Sequence, residues 1–159
     1  MQPNNVPPNL RFLIDDIEQD WNHEANPFDY VHARYLNGCL KDWPRMLKQA
    51  YDNLKPGGWA EFQEWDIRCY SRDNTVKPDS ALVRFSLEGQ KRRDAAGYVT
   101  NPGPFVEKWM KEIGFVNVQV IVLPIPMGSW AKDPKYVRLL FFSLRPNPNN
   151  AVCALLISA

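Results

Sequence analysis

Two histidines and a handful of carboxylates set the chemical repertoire of this chain. His32 and Arg34 share the run "FDYVHARY", Asp15 and Asp16 close "LRFLIDD", and Glu64 and Asp66 flank Trp65 at the end of "WAEFQEWD". His32 and Arg34 read either as pocket residues or as a strand-end pair with ordinary hydrogen bonds. An arginine adds a permanent positive charge suited to anionic groups. Glu64 and Asp66 read either as exposed strand-end acids or as groups that orient a substrate or act as a general base. His23 lies in the polar loop "WNHEANP", a surface position. The separation of His23 and His32 across that loop matches no metal-ligand spacing, so no metal is expected. No Ser-His-Asp or Cys-His arrangement has support, and no catalytic nucleophile is assigned.

These residues need elements to hold them. "LRFLIDD" (Leu10 to Asp16) is a short apolar run and reads as a strand, followed by the loop "IEQDWNHEANP". "FDYVHARY" (Phe28 to Tyr35) reads as a second strand. Asp42 is a good N-cap, and Pro44 fits a first helical turn, where its missing N–H is harmless. Trp43, Met46, Leu47, Ala50, Tyr51 and Leu54 then recur at helical spacing as one core-facing stripe. Pro56-Gly57-Gly58 stops that helix, and Trp59 to Trp65 reads as a strand. "IRCYSRDNTVKPDS" is a linker. "ALVRFSLEGQKRRDAAG" is a helix whose basic run "KRRD" is a solvated end. A further helix carries Phe105, Val106, Trp109, Met110 and Ile113 toward the core and ends at Gly114. "FVNVQVIVLPIP" (Phe115 to Pro126) is a strand. The order β, β-α-β, α-α-β predicts an α/β domain. The apolar runs "VRLLFFSL" and "AVCALLISA" have ambiguous periodicity.

Bulk properties exclude several classes. The chain has 159 residues, 45% hydrophobic and 23% charged, with a net charge of +1. That balance suits one globular domain and gives no electrostatic reason to expect nucleic acid or an anionic membrane. Aromatic residues reach 13%, which suits a well-filled core or an apolar ligand pocket. Cys39, Cys69 and Cys153 are odd in number and widely spaced, as free thiols in a reducing compartment are. "MQPNNVPPNL" has neither a basic nor an apolar signal region, and no apolar run is long enough to span a bilayer. An intracellular protein, cytoplasmic or nuclear, is expected.

"FDYVHARYL", "DWPRMLKQAYDNLKPGGWAEFQE" and "GFVNVQV" together resemble the second half of a class I S-adenosylmethionine-dependent methyltransferase of the fungal LaeA-like, secondary-metabolism type. "PPNLRFLIDDIEQDW" and "GSWAKDPKY" fit the same pattern, so the resemblance runs over about residues 2–136. It implies an incomplete Rossmann-like domain, 1–136, followed by a divergent tail, 137–159. It implies S-adenosylmethionine as cofactor, with Asp16 and Ile17 at its adenine and His32, Ala33 and Arg34 at its methionine end and the incoming substrate. "LKPGG" corresponds to a turn whose glycines serve chain geometry.

The departures from the family pattern are specific. No GxGxG occurs in the sequence, nor does the acid that would hold the ribose. The first two strands of the family sheet, which lie between its third and fourth, have no counterpart, so "LRFLIDD" would be orphaned. The tail does not resemble the family's seventh strand, which inserts between the fifth and sixth. The resemblance therefore implies a methyltransferase family member acting on a small-molecule or protein nucleophile, with activity lost or dependent on a partner or second copy that completes the sheet. Alternatives are a non-catalytic binding or dimerisation module, and a cofactor-free pocket enzyme of fungal secondary metabolism.

Overall fold

A computed structural model describes residues 7–23, 25, 27–71, 75–125 and 151–158. Strand β1 (Phe28–Arg34) leads through helix α1 (Trp43–Asp52) into β2 (Leu54–Tyr70). β1 and β2 pair in parallel, from Phe28 opposite Leu54 to Arg34 opposite Gln63. Helices α2 (Ala81–Ala95) and α3 (Gly103–Ile113) follow, then β3 (Gln119–Ile125) and β4 (Ala151–Ser158). The sheet order is β1-β2-β4-β3, with β4 antiparallel to both neighbours. The α/β architecture expected from the pattern is present.

The crossover is locally encoded. Asp42 caps α1 by accepting from the Arg45 N–H at 2.9 Å, and Pro44 occupies the first turn. Asn53 closes the helix and ties three segments together. Its side-chain amide donates to the Gln49 carbonyl at 3.0 Å, its side-chain oxygen accepts from His23 N–H at 3.0 Å, and its carbonyl accepts from Phe28 N–H at 2.8 Å. "LKPGG" then forms an irregularity in the β1–β2 register between Phe28 and Tyr30. Gly57 sits at φ +79, and a Cβ on Gly58 would lie 2.9 Å from the Lys55 carbonyl oxygen. The glycine pair is a corner.

The core lies on one face of the sheet. Trp43, Met46, Leu47 and Ala50 of α1 and Val106 and Met110 of α3 pack against Ala60 and Phe62 of β2, with Leu40 and Phe115 closing the cluster. Each such large apolar side chain contributes roughly 1.5–3 kcal/mol on burial. Gly114 ends α3 in the left-handed region at φ 118. Helix α2 buries none of its residues, and Phe85 on it is 80% exposed.

Several expectations are corrected. "LRFLIDD" is not a strand: residues 10–16 are irregular, and Leu13 and Ile14 are 78% and 97% exposed. None of the described strands pairs with it, and β propensity is realised only against a neighbour. β2 runs on to Tyr70, into the segment expected as linker. Tyr51 and Phe105, expected in the core, are 40% and 51% exposed. They sit at the flanks of their stripes, where Tyr51 meets Phe115 edge-on and Phe105 stacks on Trp109. The tail run "AVCALLIS", ambiguous in sequence and unlike the family's seventh strand by pattern, pairs as a strand between β2 and β3. The boundary at Tyr136, "GSWAKDPKY" and "VRLLFFSL" lie outside the described residues.

Candidate functional site

Alternation along the parallel pair sorts the candidate residues. Ala33 of β1 packs toward the core, on the face of Ala60 and Phe62. His32 and Arg34 occupy the opposite face, which carries Tyr30 of β1 and Trp59, Glu61 and Gln63 of β2. The register sets Tyr30 opposite Trp59 and His32 opposite Glu61. Tyr30 and Trp59 are about half exposed, so this face is open among the described residues.

Glu61 gathers three donors. The Tyr30 hydroxyl donates to its Oε2, His32 Nδ1 lies 3.0 Å from the same oxygen, and the Gln63 side-chain amide donates to Oε1 at 2.8 Å. The Tyr30 hydrogen bond, then those of Gln63 and His32, hold the Glu61 carboxyl below its ordinary value. The carboxylate in turn pushes the Tyr30 hydroxyl up to about 12. Both directions describe a charged Glu61 beside a neutral tyrosine.

The turn after β1 is clamped to β2. Tyr35 adopts φ 58, and its N–H donates to the Gln63 carbonyl at 3.0 Å. The next two N–H groups, of Leu36 and Asn37, donate to the two oxygens of Glu64 at 2.8 and 3.1 Å. Glu64 is 1% exposed, which corrects the expectation of an exposed strand-end acid. Burial pushes its carboxyl up to about 7, opposed by those two backbone hydrogen bonds. The Tyr35 ring lies against Trp65 at 5.5 Å, with the Arg34 guanidinium over it at 5.4 Å. Asp66 bonds Arg68 and the Asn101 side-chain amide, so it is engaged in structure.

The segment carrying Asp16 and Ile17 docks on α1. Gln49 donates from its side chain to the Ile17 carbonyl at 3.4 Å and accepts from Trp21 N–H at 2.9 Å. Glu18 accepts from Lys41 N–H at 2.7 Å, just ahead of the helix, and Arg45 pairs with Asp20 at 2.6 Å. Asp16 accepts from Glu18 N–H and the Gln19 amide, which hold its exposed carboxyl below its ordinary value. In a β-α-β unit the helix N-terminus and the strand C-termini lie at one edge, the edge where open α/β sheets bind ligands. Asp16 and Ile17 belong to the segment docked on α1, with Ile17 packed against the core, whereas His32 and Arg34 lie on the opposite face of the sheet. Tyr30 and Glu61 escaped sequence reasoning. The signal was the pairing of "YxH" on one strand with "WxExQ" on the other, visible only once the register is known.

A methyltransferase-domain family model matches residues 3–120. Methyltransferase pytC of Aspergillus terreus is 42% identical over 135 residues, covering 85% of this chain and 41% of its own length. The secondary metabolism regulator LAE1 of Cochliobolus heterostrophus is 32% identical over 139 residues, covering 84% of this chain and 44% of that protein. The chain thus spans about two fifths of the length of the curated relatives it matches. Among solved structures, phosphoethanolamine N-methyltransferase 2 of Haemonchus contortus, in complex with S-adenosyl-L-methionine, superimposes with a TM-score of 0.51 at 16% identity. That match covers 91% of this chain and 35% of the other. The sheet order, the parallel crossover and the family match lead to one conclusion: the chain belongs to the methyltransferase-domain family.

Proposed function

We propose that these residues form the substrate-side half of a methyl-transfer site, acting on a small-molecule or protein nucleophile and dependent on a second polypeptide for full cofactor affinity. What supports this is the position of His32 and Arg34 at the C-terminal end of β1, beside the turn clamped by Glu64, the end of the strands at which open α/β sheets bind ligands. Asp16 keeps an exposed carboxylate able to accept from an adenine amino group, and Ile17, next in the chain, packs against the core and anchors it. His32 and Arg34 line the methionine end. Ala33 faces the core and acts by spacing those two apart. S-adenosylmethionine, when bound, supplies an electrophilic methyl group. The residues fit its two ends but include no GxGxG turn for its middle. Catalysis in such an in-line transfer rests mainly on positioning.

Calorimetric titration with S-adenosylmethionine tests this reading. Weak or undetectable heat from the 159-residue chain alone is expected, and micromolar binding by the isolated chain would show the proposed dependence to be wrong. A second reading is a non-catalytic module that pairs with another chain or a second copy. The edge position of β1 supports it, since an edge strand offers unpaired backbone groups. A monodisperse monomer by light scattering would count against that reading.

A further inference from the structure

We infer that Glu64 is the positioning residue of the substrate side: its carboxylate fills an anion-binding turn at the end of β1 and, through that turn, aims Arg34. This rests on the methyl-transfer reading above for the use to which the aimed guanidinium is put. Glu64 then acts through the backbone and touches no substrate itself.

The turn has few other supports. Tyr35 stands in the left-handed region at φ 58, a conformation that a residue with a side chain keeps only where its surroundings impose it. The Tyr35 N–H donates to the Gln63 carbonyl at 3.0 Å and belongs to the strand pairing, so it would survive any side chain at position 64. The next two N–H groups depend on the Glu64 side chain. Leu36 donates to one of its oxygens at 2.8 Å and Asn37 to the other at 3.1 Å. Beyond them the Gly38 N–H donates to the Val99 carbonyl at 2.8 Å and pins the far end. Successive N–H groups around a left-handed residue form a concavity that suits an anion. Here the anion is the chain's own. A carboxylate has only acceptors and satisfies both donors at once, whereas an amide would turn its NH2 toward one of them.

Trp65, the next residue of β2, holds the same turn from the opposite face. Its ring lies 5.5 Å from that of Tyr35, and the Arg34 guanidinium sits over the Tyr35 ring at 5.4 Å. Arg34 is exposed, so that ring is what gives its guanidinium a fixed direction. The chain of contact runs from Glu64 through the Leu36 and Asn37 N–H groups to the Tyr35 backbone, and from the Tyr35 ring to Arg34.

NMR of the full chain at about pH 8, where Glu64 is charged because burial lifts its carboxyl only to about 7, tests the assignment. Two quantities are read: amide exchange at Tyr35, Leu36 and Asn37, and the ring-current shift of the Arg34 Cδ protons. In Glu64→Ala the Leu36 and Asn37 amides should exchange about 10- to 100-fold faster. The Tyr35 amide should keep its protection, and the Arg34 shift should collapse toward that of a free side chain. Acetate should refill the emptied concavity, slowing both amides and restoring the Arg34 shift, where chloride at equal ionic strength does neither. Glu64→Gln should release one of the two amides and hold the other. Unchanged protection of Leu36 and Asn37 in Glu64→Ala, an Arg34 shift unmoved when both are released, or acetate no better than chloride overturns the proposal. Where Glu64→Ala also loses the Tyr35 protection, and so fails to fold, Glu64→Gln decides: both amides held as in the wild type overturns it. No readout uses S-adenosylmethionine, so calorimetry judges the methyl-transfer reading separately.

Discussion

Removing the charge of Glu64 should change how stability responds to pH. Glu64 is 1% exposed, and burial pushes its carboxyl up to about 7 from an ordinary 4.5. Between those values the folded protein holds a proton that the unfolded chain has already released. The unfolded state then binds fewer protons, so stability falls as pH rises through this window and levels off above the folded pKa. The gap of 7 minus 4.5, at roughly 1.4 kcal/mol per pH unit, amounts to about 3.5 kcal/mol. Glu64→Gln cannot titrate and retains one acceptor oxygen for the Leu36 and Asn37 N–H groups. Urea unfolding followed by tryptophan fluorescence, run in steps from about pH 5 to about pH 8, reads both proteins. The free-energy difference between them should move toward the variant by about 2.5 kcal/mol between those two pH values. Parallel pH profiles would refute the reasoning, because they would mean that Glu64 is as well solvated folded as unfolded.

Three further substitutions probe the scaffold, each read by thermal or urea unfolding. Asn53→Ala removes the amide bond to Gln49 and the acceptor for His23 N–H, and should cost about 2–3 kcal/mol. Gly58→Ala brings a Cβ to 2.9 Å from the Lys55 carbonyl oxygen, a backbone atom with little freedom to yield, and should cost about 1–3 kcal/mol. Met110→Ala empties a fully buried position between α3 and the sheet and should cost about 2–5 kcal/mol.

What the sequence revealed divides by range. Asp42 with Pro44, the stripe from Trp43, and Gly114 are local signals, and α1 and α3 stand over them, although α1 ends at Asp52 and Leu54, read into its stripe, opens β2 ahead of the glycine pair expected to stop the helix. The glycine corner was likewise legible, because Gly57 and Gly58 answer to steric demands within a few residues. "LRFLIDD" failed for the opposite reason: its pattern is strand-like, but a strand exists only by pairing. Glu64 looked like an exposed acid because its burial depends on Leu36 and Asn37, far back in the chain. The Tyr30–His32–Glu61 cluster depends on register, which alternation alone does not supply. β4 joins the sheet at long sequence separation, so its ambiguous run became a strand only through its two neighbours.

The asymmetry of the sheet has an optical consequence. Trp43 is sealed in the core at 0% exposure, whereas Trp59 on the open face is 53% exposed, with Trp65 and Tyr35 near the same edge. The protein therefore carries an indole wetted by solvent beside the candidate site and another shielded from it. A molecule settling over Tyr30 and His32 would dry the first and leave the second dark to the change. Blue-shifted emission with reduced iodide quenching would then report occupancy of that face without any label, for a small aromatic compound and a partner chain alike.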